Sequence, residues 1–178
     1  AARNRGVSIA RGKYIVYIDS DDEVSCGILQ AITIAEKNKL EMVAFHSVKI
    51  NEQGLSVDYR DLPYSADDVF SGIELQENHQ FWFTGPVAYL YQREFLCFVN
   101  YPFAEGVLFE DSDYVVRHLY RAKRMGYICE CGYKIHHNSQ STTHTISYKH
   151  LADYFLLGTR MLQFYRQLED KATKFADS

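Results

Sequence analysis

Apolar positions along this chain recur at two spacings, and the spacing predicts the elements. In AARNRGVSIARG, Val7, Ile9 and Ala10 fall at helix-like intervals. After Gly12, KYIVYID carries Ile15, Val16 and Ile18 as a short β-branched run, which predicts a buried strand. In VSCGILQAITIAEKNK, Ile28, Ile32 and Ala35 lie at i, i+4 and i+7, with Glu36, Lys37 and Lys39 as a polar end, so a helix is expected from near Val24. EMVAFHSVKI, rich in β-formers and closed by the turn-like NEQG, predicts a second strand. Across residues 54–80 the pattern weakens, and DLPYSADD suggests a turn with a helix start at residues 65–68.

Gly85 and Pro86 precede VAYLY, a predicted strand, and REFL, a predicted short helix. Val115, Leu119 and Ala122 predict a helix over residues 111–125, its basic end RAKRMG stopping at Gly126. YICECGYKIHH is strand-like, with Cys129 and Cys131 expected as small buried apolar residues. NSQSTTHTIS is a polar connection. Tyr154, Leu157, Met161, Phe164 and Leu168 then alternate in steps of three and four, predicting one long helix. Its apolar stripe suits packing onto this core or onto a partner, including a second copy. A membrane surface is the alternative.

The chain has 178 residues, 47% hydrophobic and 15% aromatic with 14 tyrosines, which suits a single globular unit. A net charge of -4 gives nucleic acid no general electrostatic reason to bind. Cys26, Cys97, Cys129 and Cys131 lack paired zinc-ligand spacings and form no disulfide framework, so a reduced, cytoplasmic setting is expected. A peripheral place at the inner face of the membrane is the variant that the terminal stripe allows. No apolar run approaches the roughly 18 to 20 residues that span a bilayer.

Candidate chemistry concentrates in YIVYIDSDD. In α/β sheets, ligands bind beyond the carboxyl ends of the strands, where these aspartates fall. Asp19 and Asp21, one residue apart, can project toward a shared point, and their carboxylates suit the hard ions Mg²⁺ and Mn²⁺. The bland alternative makes Asp21 or Asp22 a cap for the helix expected near Val24. An EF-hand loop is excluded, because its sixth position needs Gly where this chain has Val24.

Two families share a strand followed by DxD. Phosphatases of the haloacid dehalogenase type want Thr or Val at the fifth position, where Glu23 stands here. The stronger likeness lies in AARNRG, a helix end with AxG, a strand and DSDD. A second block follows, FAEGVLFEDSDYVVRHLYRAKRMGYICECGYKIHHNSQSTT. In these two blocks the chain resembles the family 2 glycosyltransferases of GT-A fold. Val87 and Tyr89 stand where family members usually carry Trp and Lys.

The resemblance implies an α/β, GT-A-like fold: a mainly parallel mixed sheet flanked by helices, incomplete at the N-terminus, with a C-terminal helix. Residues 1–147 would be a partial catalytic domain, lacking the family's first strand and base-binding loop, and residues 148–178 a helical extension packed on it. It further implies transfer of a sugar from a nucleoside diphosphate sugar to a carbohydrate or lipid-linked acceptor, with inversion, in polysaccharide or glycolipid synthesis. Asp111 would be the catalytic base, with Glu110 in support. Asp21 and Asp19 would hold Mn²⁺ or Mg²⁺, and Arg3, Asn4, Asp19, Asp22 and His137 would line the nucleotide-sugar donor. His136 and His144 are weaker donor candidates, and Trp82, with Phe81 and Phe83, either stacks on an acceptor sugar or packs in the core. Asp111 or Asp113 as a helix cap, a non-catalytic binding remnant or assembly module, and a Mg²⁺-dependent phosphohydrolase are the competing readings.

Overall fold

The computed structural model describes residues 2–51, 53–54, 56–59, 62, 64–79, 85–136 and 147–176. In chain order the elements are α1 (Ala2–Ile9), β1 (Tyr14–Val16), β2 (Glu23–Val24), α2 (Gly27–Asn38), β3 (Met42–Ile50), β4 (Ser56–Tyr59), α3 (Gly72–His79), a 3₁₀ turn (Pro86–Ala88), β5 (Tyr89–Gln92), α4 (Arg93–Val99), α5 (Glu110–Arg121), β6 (Met125–His136) and α6 (Tyr148–Ala176).

β3 is the spine of a six-stranded sheet ordered β1-β5-β3-β6-β2, with β4 also paired to β3. Its Met42, Val43, Ala44 and Phe45 are all buried. The α/β architecture with a mixed sheet is as expected, but parallel pairing among the described strands is confined to β3 with β6, while the other four pairings are antiparallel. A parallel pair needs a long crossover, and the chain supplies one between Ile50 and Met125, carrying α3, α4 and α5.

Several expectations shift. β1 is shorter and only half-buried, with Ile18 57% exposed. α2 starts at Gly27, not Val24, behind an N-cap at Cys26 that makes no side-chain capping bond. A Cβ on Gly27 would stand 2.4 Å from the Cys131 carbonyl oxygen, so this glycine lets α2 sit directly on β6. Gly126 is likewise no helix stop: α5 ends at Arg121 and Gly126 lies inside β6, where a Cβ would come 2.6 Å from Leu40 Cδ1.

Cys129 is exposed and Cys131 half-buried, against the expectation of burial. The β3–β6 register jumps there, from Phe45 opposite Ile128 to His46 opposite Cys131, and the surplus residues bulge outward. The helix expected at residues 65–68 is a turn, with the Ser65 N–H donating to Asp68 Oδ2 at 2.7 Å. α3 starts later on a reciprocal capping box: Ser71 N–H to Glu74 Oε2 at 2.6 Å and Glu74 N–H to Ser71 Oγ at 3.1 Å.

α6 lies against α5 through Leu157 and Phe164, with Phe164 edge-on to Tyr120 at 5.5 Å. Tyr154, counted in the expected stripe, is 66% exposed, and Asp153 takes a buried place, accepting the Leu108 N–H at 2.9 Å. Among the described residues, no helix is long and apolar enough to cross a membrane.

Candidate active site

Just beyond β1 the chain buries Tyr17, exposes Ile18 and half-buries Asp19. The chain then turns, the Asp22 N–H donating to the Asp19 carbonyl at 3.1 Å, so the three aspartates take separate places. Asp19 faces α1, and its N–H donates to the Tyr133 hydroxyl at 2.9 Å. Asp22 turns to β6, where its Oδ1 accepts the His136 N–H at 2.9 Å. Asp21 lies exposed at the corner. Neither Asp21 nor Asp22 caps α2, so the bland reading of the DSDD run does not hold for that helix.

The second acidic segment arrives from α5. Its N-cap is Phe109, in left-handed backbone (φ 63°) without a side-chain capping bond, which leaves Glu110 and Asp111 in the first turn with their carboxylates unspent on capping. Arg3, in the first turn of α1, stands between the two segments. One guanidinium nitrogen donates to Asp19 Oδ1 at 2.8 Å, while the other donates to Asp111 Oδ1 at 2.6 Å and Glu110 Oε1 at 3.2 Å. Residues 3, 19 and 110–111 thus converge on one guanidinium.

Beneath them lies a floor of aromatic rings. The Arg3 guanidinium sits 5.3 Å over the Phe103 ring, Phe103 stacks on Tyr114 at 3.7 Å, and the Tyr17 and Tyr114 hydroxyls are 2.7 Å apart. Burial pushes the Tyr17 phenol up to about 12. The same apolar floor raises the Asp111 carboxyl to about 6, with Arg3 opposing and the Glu110 and Asp19 charges adding. A carboxylate so tuned is ionised at neutral pH yet basic enough to take a proton.

Asn4 is held from both sides, its amide donating to the Phe103 carbonyl at 3.0 Å and accepting the Phe103 N–H at 2.9 Å, and it also donates to Glu105 at 2.9 Å. That hold fixes α1 against the loop before α5. A cleft of about 280 Å³ bordered by Arg3, Phe103, Glu105 and Glu110 opens there. His137 and Trp82, with its neighbouring phenylalanines, lie outside the described residues.

Sequence reasoning missed Tyr133 and Glu105. Glu105 stands in the quoted FAEG motif, two residues beyond the Asn4 anchor, whereas nothing in the strand pattern marks Tyr133. Asp113, considered as a cap, is instead buried with Arg117 and Tyr101.

For a hard cation, Asp19 and Asp21 offer oxygen donors of the right kind, and Mg²⁺ commonly takes one or two carboxylates and completes its shell with water and substrate phosphate. Among the described residues no group of three or more His, Cys, Asp or Glu is arranged to hold a metal. The Asp19 carboxylate is engaged by Arg3 at 2.8 Å, while Asp21 lies exposed, so the two candidate donors stand apart here.

The chain has relatives among known proteins. The chain is 33% identical over 163 residues to the uncharacterized glycosyltransferase EpsJ of Bacillus subtilis, covering 88% of this chain and 46% of that protein. It is 25% identical over 177 residues to the uncharacterized glycosyltransferase YibD of Escherichia coli, covering 91% and 50%. The chain thus spans about half the length of the curated relatives it matches. Its fold matches that of S. aureus TarS 1-349 in complex with UDP-GlcNAc, with a TM-score of 0.66 over 90% of this chain and 46% of that one, at 16% identity. The model of glycosyl transferase family 2 matches residues 1–98, and the chain belongs to that family.

Proposed function

We propose that this chain carries the acceptor side and part of the donor side of an inverting glycosyltransferase, with Asp111 as the base. The observation that carries this is the meeting of Asp19 and Asp111, distant in sequence, on the one guanidinium of Arg3. Transfer from a nucleoside diphosphate sugar needs a site for a diphosphate beside a site for an incoming hydroxyl, and Arg3 brings the two acidic segments side by side. TarS, solved with UDP-GlcNAc and with UDP, supports a nucleotide-sugar donor.

In this reading Asp111 removes the acceptor hydroxyl proton as the oxygen attacks the anomeric carbon from the face opposite the diphosphate. The bond to the diphosphate breaks, and the anomeric configuration inverts. Glu110 adds negative charge beside Asp111, keeping it basic. Asp19 and Asp21 would hold Mn²⁺ or Mg²⁺, which when bound supplies charge neutralisation for the departing diphosphate. Arg3, Asn4 and Asp22 order the donor side, Asn4 by fixing α1 and Asp22 by fixing the turn to β6. The acceptor is a carbohydrate or lipid-linked alcohol met at the cytoplasmic face of a membrane.

The test is a panel of nucleotide sugars with Mn²⁺ and candidate acceptors, run on the full-length protein with and without Asp111→Asn. Turnover of one donor, lowered about 10²- to 10⁴-fold by the substitution while donor affinity is kept, is the expected result. An Asp111→Asn variant at full rate overturns the base assignment. Phosphate release from simple monoesters, with no response to nucleotide sugars, overturns the transferase reading itself.

A further inference from the structure

Asp19 has three polar groups, and each goes a different way. Its N–H donates to the Tyr133 hydroxyl on β6 at 2.9 Å, its carbonyl accepts the Asp22 N–H at 3.1 Å, and its carboxylate turns to Arg3 on α1. Fixing the N–H and the carbonyl fixes the backbone at this residue, and with it the direction in which the carboxylate leaves the turn. Tyr133 is fully buried. Burial raises its phenol, the Asp19 backbone contact acts against this, and the Asp22 side chain, hydrogen-bonded to the same hydroxyl, adds to it. The hydroxyl thus keeps its proton, accepting from Asp19 and donating to Asp22. A second tie between the same segments lies outside: Lys134 Nζ donates to Glu23 Oε2 at 3.3 Å, with side chains 41% and 57% exposed. An ion pair so exposed contributes little.

We infer that Tyr133 is a positioning residue for the donor side, its hydroxyl clasping Asp19 and Asp22 to β6 and so setting where the Asp19 carboxylate stands. This rests on the reading of the turn after β1 as the donor side. Phenylalanine in its place keeps the ring and the pairing of residue 133 with Val24 and Ser47, and removes only the clasp.

The experiment compares full-length wild type, Tyr133→Phe and Lys134→Gln by two readouts. The first is amide hydrogen exchange at Asp19 by NMR, which reads the clasp whether or not any nucleotide binds. The second is affinity for UDP with Mn²⁺, by calorimetry. In Tyr133→Phe the Asp19 amide exchanges about 2- to 10-fold faster, as the loss of one hydrogen bond implies, and UDP affinity falls by about the same factor. Lys134→Gln changes neither. Unchanged Asp19 exchange in a folded Tyr133→Phe protein overturns the inference. So does a UDP affinity that survives Tyr133→Phe intact, or that falls equally in Lys134→Gln. Faster Asp19 exchange with no UDP binding in any variant upholds the clasp and counts instead against the donor reading of this turn.

Discussion

Asp111 and Asp113 are two residues apart on one helix, and each meets an arginine, yet they stand in opposite regimes. Asp113 is 1% exposed, and its carboxylate takes Arg117 Nε at 2.8 Å and the Tyr101 hydroxyl at 2.8 Å. Arg117 is in turn sandwiched over the rings of Tyr101 at 4.3 Å and Phe164 at 4.6 Å and donates to the Arg160 carbonyl at 3.0 Å, joining α5 to α6. That pair is fully used by the fold. Asp111 is 34% exposed, shares its arginine with two other acids and carries a perturbed affinity for protons. The difference teaches that an acid completed by its neighbours holds structure together, whereas an acid crowded by like charges over an apolar floor is available for chemistry.

The comparison can be broken by substitution and by pH. Asp113→Ala leaves the Arg117 charge without its buried partner and should cost about 3 to 5 kcal/mol in urea unfolding. A loss comparable to that of an ordinary surface substitution would remove the structural half of the contrast.

A third titratable group on α5 sharpens it. His118 is 1% exposed, and burial lowers it to about 4 from the usual 6.5, its Nδ1 lying 2.7 Å from the Tyr114 carbonyl. The unfolded chain takes up this proton below pH 6.5, while the folded chain does so only near 4. Its contribution is complete above pH 6.5 and lost as pH falls toward 4, on the order of 3 kcal/mol. His118→Phe should flatten that acid decline, measured as unfolding free energy between pH 7 and 4.5. An equally steep decline in the variant would assign it elsewhere.

The smallest effect has the opposite sign. The Asp111 carboxyl is raised from the ordinary 3.8 to about 6, so its ionisation costs stability in full above pH 6, and that cost shrinks as pH falls from 6 and is gone below 3.8. Asp111→Asn should therefore stabilise the protein at pH 8 by about 1 kcal/mol after solvent screening, with the gain vanishing at low pH. Destabilisation at pH 8 would make Asp111 a second Asp113.

Much of this was legible in the sequence. A run of β-formers ending at NEQG located the central strand, and the spacing of three to four located α2, though from Val24, and α6, because burial of one helix face demands that periodicity whatever the neighbours are. The two acidic motifs stood out because like charges packed so closely in sequence have a poor structural explanation. The α3 start was also written there, in Ser71 and Glu74, but it was obscured by the competing polar run at residues 65–68.

What only the tertiary structure decided is which partner each charged group meets. Whether Asp111 or Asp113 meets Arg3, whether Asp113 is enclosed by Arg117, and whether Gly126 ends a helix or admits Leu40 all depend on contacts between residues far apart in the chain. Local periodicity reports which face of an element is covered, since that depends on the chain's own pitch. Electrostatic partners and close backbone approaches are set by how the elements cross, and no local pattern carries that information.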